Sequence, residues 1–190
     1  MAEPAALQMS YADYLALERA SDVKHEWEDG TARAMSGGTP EHGRLAVRFT
    51  ALLGAALGDR PCEAFSSDVK VRIAAANRSY YPDASVVCGA LQRAADDADA
   101  IANPIVVVEV LSDSTEARDR GVKRRHYQLL TSLKEYVLVS QSEPFVEVWR
   151  RTEDGWSVHE YGPAGTVRLQ SIDVAISVDE LYRSRLPASS

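Results

Sequence analysis

Apolar residues recur along this chain at two different spacings, and each spacing predicts its own kind of element. From Thr39 onward, Leu45, Phe49, Leu52, Leu53, Ala56 and Leu57 recur at helical steps. Thr39 suits the N-cap, Pro40 the first helical position and Gly58 the stop. Ser10 opens an earlier short helix, with Asp13 three residues on as its helix-start signal. Within residues 62–73, Val69, Val71 and Ile73 alternate with Lys70 and Arg72, which predicts a half-buried strand. Residues 105–111, IVVVEVL, form a continuous apolar run broken by one carboxylate, the pattern of a central strand buried on both faces.

Other segments follow from turn and cap chemistry. A hairpin from Glu26 to Met35 turns at Glu28-Asp29-Gly30. The acidic stretch at roughly 92–103 is expected as a loop. Asp113 and Glu116 have the spacing of an N-cap and third helical residue, predicting a helix to about Leu130. Gly121 in its middle marks a bend or a close approach. Tyr136 to Val139 is a buried strand, and Phe145–Arg150 with Trp156–Tyr161 a hairpin over Asp154-Gly155. Residues 166–170 form a short strand, and Ser177 with Glu180 opens a last helix. Strands separated by helices predict an α/β fold, a mixed sheet flanked by helices with a β-rich C-terminal part. Residues 1–9 are expected as a flexible lead-in and 10–186 as one domain.

Composition narrows the classes. The chain has 190 residues, 45% of them hydrophobic, and a formal charge of −7. That excludes a long disordered tail and argues against broad nonspecific binding to nucleic acid. No apolar run is long enough to span a membrane, and no signal peptide is expected. Cys62 and Cys88 show no zinc-ligand spacing and are expected as reduced core thiols, which fits a cytoplasmic protein.

The candidate chemistry centres on Glu109. A carboxylate in the middle of IVVVEVL costs several kcal/mol to bury unless a cation, basic residue or metal compensates it. Asp83 follows Pro82 at the opening of the strand Ala84–Cys88, and adjacent strands would bring it to Glu109. Two carboxylates converging there would suit Mg²⁺, which keeps several waters. Asp119, Lys123 and Tyr127 share one face of the following helix. Between 116 and 126 lie five basic and two acidic residues, a local basic segment in an acidic chain. Tyr80, Tyr81, Trp149 and Trp156 are expected as core or cross-strand partners, and His126 and His159 as surface residues.

The series YPDASVV, IVVVEVLSDST, DRGVKRRHYQ and KEYVLV resembles the family of small bacterial "putative restriction endonucleases" of the PD-(D/E)XK nuclease superfamily. The segment HEWEDGTARAMSGGTPEHG resembles the same family, and the likeness covers roughly residues 10–183. The resemblance implies a restriction-endonuclease-like core and hydrolysis of DNA phosphodiester bonds with Mg²⁺ or Mn²⁺. It matches Asp83 and Glu109 to the metal-binding acids. The motif lysine would stand two residues after the acid, where this chain has Leu111, and Lys123 is the expected substitute. Supporting roles fall to Glu26, His42, Asp68 and Asp119, and phosphate contacts to Arg118, Arg120, Arg124 and Arg125. Cutting both strands implies a homodimer, with Phe145, Val148 and Trp149 as candidate contacts. A module on the same fold that binds nucleic acid or protein without turnover is the alternative.

Overall fold

The computed structural model describes residues 8–35 and 37–184. Of the expected lead-in, residues 1–7 lie outside the described residues, as do 185 and 186 at the expected domain end. The Met9 N–H donates to the Gly30 carbonyl at 3.0 Å, so the chain is already tied to the first hairpin there.

Helix α1 (Tyr11–Ala20) starts at Ser10, whose side chain accepts from the Asp13 N–H while the Asp13 carboxylate returns the bond. Strands β1 (His25–Glu28) and β2 (Thr31–Ala34) form the expected hairpin, with Asp29 and Gly30 at positive φ. Helix α2 (Pro40–Leu57) has the expected cap at Thr39 and stops at Gly58, whose φ is 54°.

Seven strands then precede the next helix, where the sequence pattern suggested three. They are β3 (Cys62–Ser66), β4 (Lys70–Ile73), β5 (Arg78–Tyr80), β6 (Ala84–Cys88), β7 (Arg93–Ala94), β8 (Asp97–Ile101) and β9 (Val106–Val110). The stretch expected as a loop over 92–103 is thus largely the β7–β8 hairpin, and β8 lies parallel to β4. Two of its three aspartates are absorbed by pairing: Asp97 holds Lys70 at 2.7 Å and Asp96 holds Arg72 at 2.8 Å.

The helix expected over 113–130 is shorter and composite. It comprises α3 (Glu116–Arg118), a π-helical turn (Asp119–Lys123) and α4 (Arg124–Tyr127). Thr115, not Asp113, precedes its first turn. Gly121 lies in the π turn, and a side chain there would meet open space, so no close approach demands the glycine. Then follow β10 (Glu135–Val139), β11 (Val146–Thr152), β12 (Gly155–Tyr161), β13 (Thr166–Leu169), β14 (Val174–Ser177) and α5 (Val178–Tyr182).

The strands make one six-stranded sheet in the order β2-β1-β5-β4-β8-β7 and another in the order β12-β11-β10-β9-β6-β3, with β13-β14 as a separate ribbon. The fold is mixed α/β, with helices flanking mixed sheets. In the second sheet β9 runs parallel to β10 and antiparallel to β6, and α3 to α4 form the crossover that a parallel pair requires.

The core lies on both sides of this sheet. Val106, Val108 and Val110 face α2, through Leu45, Phe49 and Leu53, and the β13-β14 ribbon. Val107 and Leu111 face the other way, against Tyr127, Tyr136 and the first sheet. Glu109 shares the parity of Val107 and Leu111, so it belongs to the layer between the two sheets. Val148 is fully buried and so is not free for the dimer contact expected of it, while Trp149 is half-buried under the Arg124 guanidinium.

Cys62 and Cys88 stand opposite each other in the β3–β6 register and form a disulfide, correcting the expectation of reduced thiols. The pairing also removes the support that reduced thiols lent to a cytoplasmic setting. The sequence offered no sign of it, because the register between strands 26 residues apart brings the two together.

Candidate active site

Three elements converge on Glu109. The β6–β9 register pairs Ala84 with Val108, which sets Asp83 beside Glu109 at the end of the ladder. Asp83 Oδ2 accepts the Val110 N–H at 2.7 Å, fixing one carboxylate against the other strand. From the crossover, Lys123 Nζ reaches Glu109 Oε1 at 2.8 Å, and from β1 it meets Glu26 Oε1 at 2.9 Å. Asp119 Oδ1 lies 3.6 Å from the same ammonium. Asp119 and Lys123, at the two ends of the π turn, are both buried toward this cluster. The Tyr127 hydroxyl donates to Glu109 Oε1 at 3.2 Å, and the Tyr136 hydroxyl donates to the Asp119 carbonyl at 3.1 Å.

A second layer holds this cluster. Arg118 donates to Glu26 Oε2 at 2.8 Å and, through Nε, to Glu28 Oε1 at 3.1 Å. His42 Nε2 stands 3.4 Å from Asp83 Oδ2. Glu26, Asp83, Glu109, Asp119, Lys123, Arg118 and His42 line a cleft of about 420 Å³, whose wall also includes Ser112, Ser114, Thr115, Met35 and Tyr81.

Three carboxylates (Glu26, Glu109 and Asp119) therefore surround one buried ammonium, and Asp83 lines the same cleft beside Glu109. The excess negative charge makes protons hard to remove. Burial pushes the Glu109 carboxyl well above its ordinary range; Lys123 opposes this, and Asp119, Asp83 and Glu26 reinforce it. Burial alone would push the Lys123 ammonium down, but Glu109, Glu26 and Asp119 outweigh it and hold its pKa well above the usual lysine value. Burial likewise raises Asp119, against the pull of Lys123. The His42 imidazole is raised, chiefly by its hydrogen bond with Asp83.

The donor set suits a small hard cation. Glu109 Oε2 and Asp83 Oδ1 make no hydrogen bond to any described residue, while their sister oxygens are held by the protein. Among the described residues no cluster of three or more His, Cys, Asp or Glu side chains forms a complete metal cage. Two carboxylates with room for water and a phosphate oxygen are what Mg²⁺ ordinarily takes, rather than an all-protein cage.

Of the residues singled out from sequence, Asp83, Glu109, Lys123, Glu26, His42, Asp119 and Arg118 all line this one cleft. Asp68 does not. It is exposed, paired with Lys24, and borders a separate cavity of about 240 Å³ with Glu18 and Lys70. The basic segment is less available than its composition suggested. Arg118 is engaged by Glu26 and Glu28, Arg120 by Glu116 and Glu147, and Arg124 lies over the Trp149 ring, 3.9 Å from its centroid. Arg125 alone of the four is exposed.

His126, expected at the surface, is half-buried, stacked on Tyr80 and hydrogen-bonded to its hydroxyl at 2.7 Å. The sequence reading missed the hydroxyl wall of the cleft, where Ser112 Oγ bonds both Ser114 Oγ and Thr115 Oγ1. Its only signal was the SDST run after the buried strand, which also reads as a helix cap.

Residues 11–179 match the Uma2 family, described as "Putative restriction endonuclease". An uncharacterized protein of Synechocystis sp. is 36% identical over 177 residues, covering 93% of this chain and 92% of its own length. A second uncharacterized Synechocystis protein is 31% identical over 146 residues, covering 77% and 82% respectively. Among solved structures, a putative nuclease belonging to DUF820 from Anabaena variabilis superposes with a TM-score of 0.71 at 16% identity, covering 85% of this chain and 91% of that one. That likeness is one of fold.

Proposed function

Because the chain belongs to the Uma2 family, we propose that it is a DNA endonuclease that hydrolyses phosphodiester bonds with Mg²⁺ or Mn²⁺ bound at Asp83 and Glu109. The observation that carries this reading is the excess of carboxylates around Lys123, with one oxygen of Asp83 and one of Glu109 bonded to no described residue in the cleft. A buried surplus of negative charge is a poor structural choice and a good site for a cation. A divalent cation there would supply an activated water and neutralise charge on the phosphate.

The chain's own residues do the rest. Tyr127 and Lys123 hold Glu109 Oε1, and the Val110 N–H and His42 hold Asp83 Oδ2, so each carboxylate keeps a fixed orientation. Lys123 stays protonated, so it acts as a fixed charge and hydrogen-bond donor, not as a base. Two of its protons are directed at Glu109 and Glu26, which leaves a third for an oxygen of the phosphate. Water forms a bond to phosphorus as the bond to the leaving sugar oxygen breaks. DNA as the substrate favours the cytoplasm as the compartment.

Supercoiled-plasmid cleavage tests this, at low salt with Mg²⁺ or Mn²⁺. The wild type nicks plasmid, Asp83→Asn and Glu109→Gln lose cleavage, and Lys123→Ala falls by about 10²–10³-fold. Wild-type protein that binds DNA but cuts neither plasmid nor single-stranded DNA with either ion would replace the nuclease by a binding module.

A further inference from the structure

Strand β12 ends the second sheet, and at seven residues it is the longest sheet-ending strand. The other ends, β2, β3 and β7, have four, five and two residues. Which of its peptide groups face outward follows from register. The Arg151 N–H donates to the Lys134 carbonyl at 2.8 Å, so on β11 the groups of Arg151, Trp149 and Glu147 face β10. Those of Arg150, Val148 and Val146 face β12, where they meet Ser157, His159 and Tyr161. The N–H and C=O groups of Trp156, Val158 and Glu160 therefore point away from the sheet and bond to no described residue.

Exposed edges are usually blunted by lysine, proline or a bulge. This one has no Lys, no Pro and an unbroken register. At its midpoint Val158 is 44% exposed.

We propose that β12 pairs antiparallel with β12 of a second copy of this chain, with the two-fold axis at Val158. That register sets Val158 against its own equivalent and Trp156 against Glu160 of the second copy. The outward groups of all three residues then meet as hydrogen-bonded pairs, and the two six-stranded sheets become continuous. The charges agree with it. Arg151 stands beside Trp156 in the register, over its ring, and its guanidinium donates only to the carbonyls of Gln128, Leu130 and Leu133. Glu160 is exposed and has no cationic partner among the described residues. In the paired sheet each Arg151 lies in the same row as Glu160 of the other copy, and the pair occurs twice about the axis.

Sedimentation equilibrium of the full chain tests the pairing. The wild type sediments as a dimer. Val158→Pro removes only an outward N–H, so it keeps the wild-type circular dichroism and weakens association at least about tenfold. Glu160→Arg, at an exposed position, does the same without touching the backbone. A hydrogen-bonded antiparallel pair sets Cα atoms about 5.5 Å apart, within disulfide reach, so Val158→Cys cross-links two chains on mild oxidation. A monomeric wild type at high micromolar concentration would overturn the proposal. So would a dimer indifferent to Val158→Pro and Glu160→Arg, or cross-linking through Val47→Cys on the exposed side of α2 in place of Val158→Cys. None of these readouts depends on cleavage, so the proposal stands or falls apart from the nuclease reading.

Discussion

At Glu109 a single carboxylate occupies a strand whose neighbours are all buried valines. Among the described residues its solvation is replaced by Lys123 and Tyr127, and the two partners differ in worth. Lys123→Met strips Glu109 and Glu26 of their shared cation, and breaking such a buried pair costs about 3–5 kcal/mol. Tyr127→Phe removes one hydrogen bond and keeps the ring, costing about 1 kcal/mol. Urea denaturation of both variants against wild type is expected to show that order. Equal losses would mean that Lys123 contributes little to holding Glu109. The sequence made this residue legible because charge inside an apolar run is rare. It also carried the i, i+4, i+8 spacing that sets Asp119, Lys123 and Tyr127 on the face toward Glu109. It did not carry Arg118's true engagement: a basic segment looks the same whether its guanidinia meet phosphates or the protein's own glutamates.

At the scale of elements, local chemistry was a good guide wherever the signal was local. The caps at Ser10, Thr39 and Ser177 and the turn at Asp29-Gly30 all form as their residues require. The acidic stretch over 92–103 failed as a guide because its charges are neutralised from another strand, by Lys70 and Arg72. The π turn at Asp119–Lys123 was equally invisible, since its residues have ordinary helical character. The β3–β6 pair carries the disulfide, which closes a loop of 26 residues and is expected to contribute about 3 kcal/mol. Thermal melts with and without reductant check this. A Cys62→Ser, Cys88→Ser double variant is expected to match the reduced wild type and to be insensitive to reductant.

For the molecule as a whole, the cleft depends on how the first sheet is held against the crossover. Glu28 on β1 and Arg118 on α3 are one such strut, and Arg33 assists. Burial would raise the Glu28 carboxyl, but its hydrogen bonds and charge interactions with Arg118 and Arg33 outweigh that and lower it below the usual 4.5. A lowered native pKa means that the stabilisation is complete above the unfolded value and is lost as pH falls through the native one. Glu28→Gln is therefore expected to cost roughly 1 kcal/mol at pH 7 and progressively less below pH 4.5. Acid and neutral urea melts of the variant and wild type check it; a cost independent of pH would assign the strut to packing.

The sequence by itself determined the elements with local causes, the buried strand with its carboxylate and the spacing that carries Asp83, Glu109, Asp119 and Lys123 toward one cleft. Apolar periodicity, capping and the cost of burying charge all act within a few residues. Tertiary structure decided which cations are spent on the protein's own acids, that Cys62 meets Cys88, and that Asp68 faces another cavity. It also left the outward groups of β12 without a partner among the described residues. Each of these depends on strand register and on contacts between segments far apart in the chain, and register is set by the packing of the whole sheet.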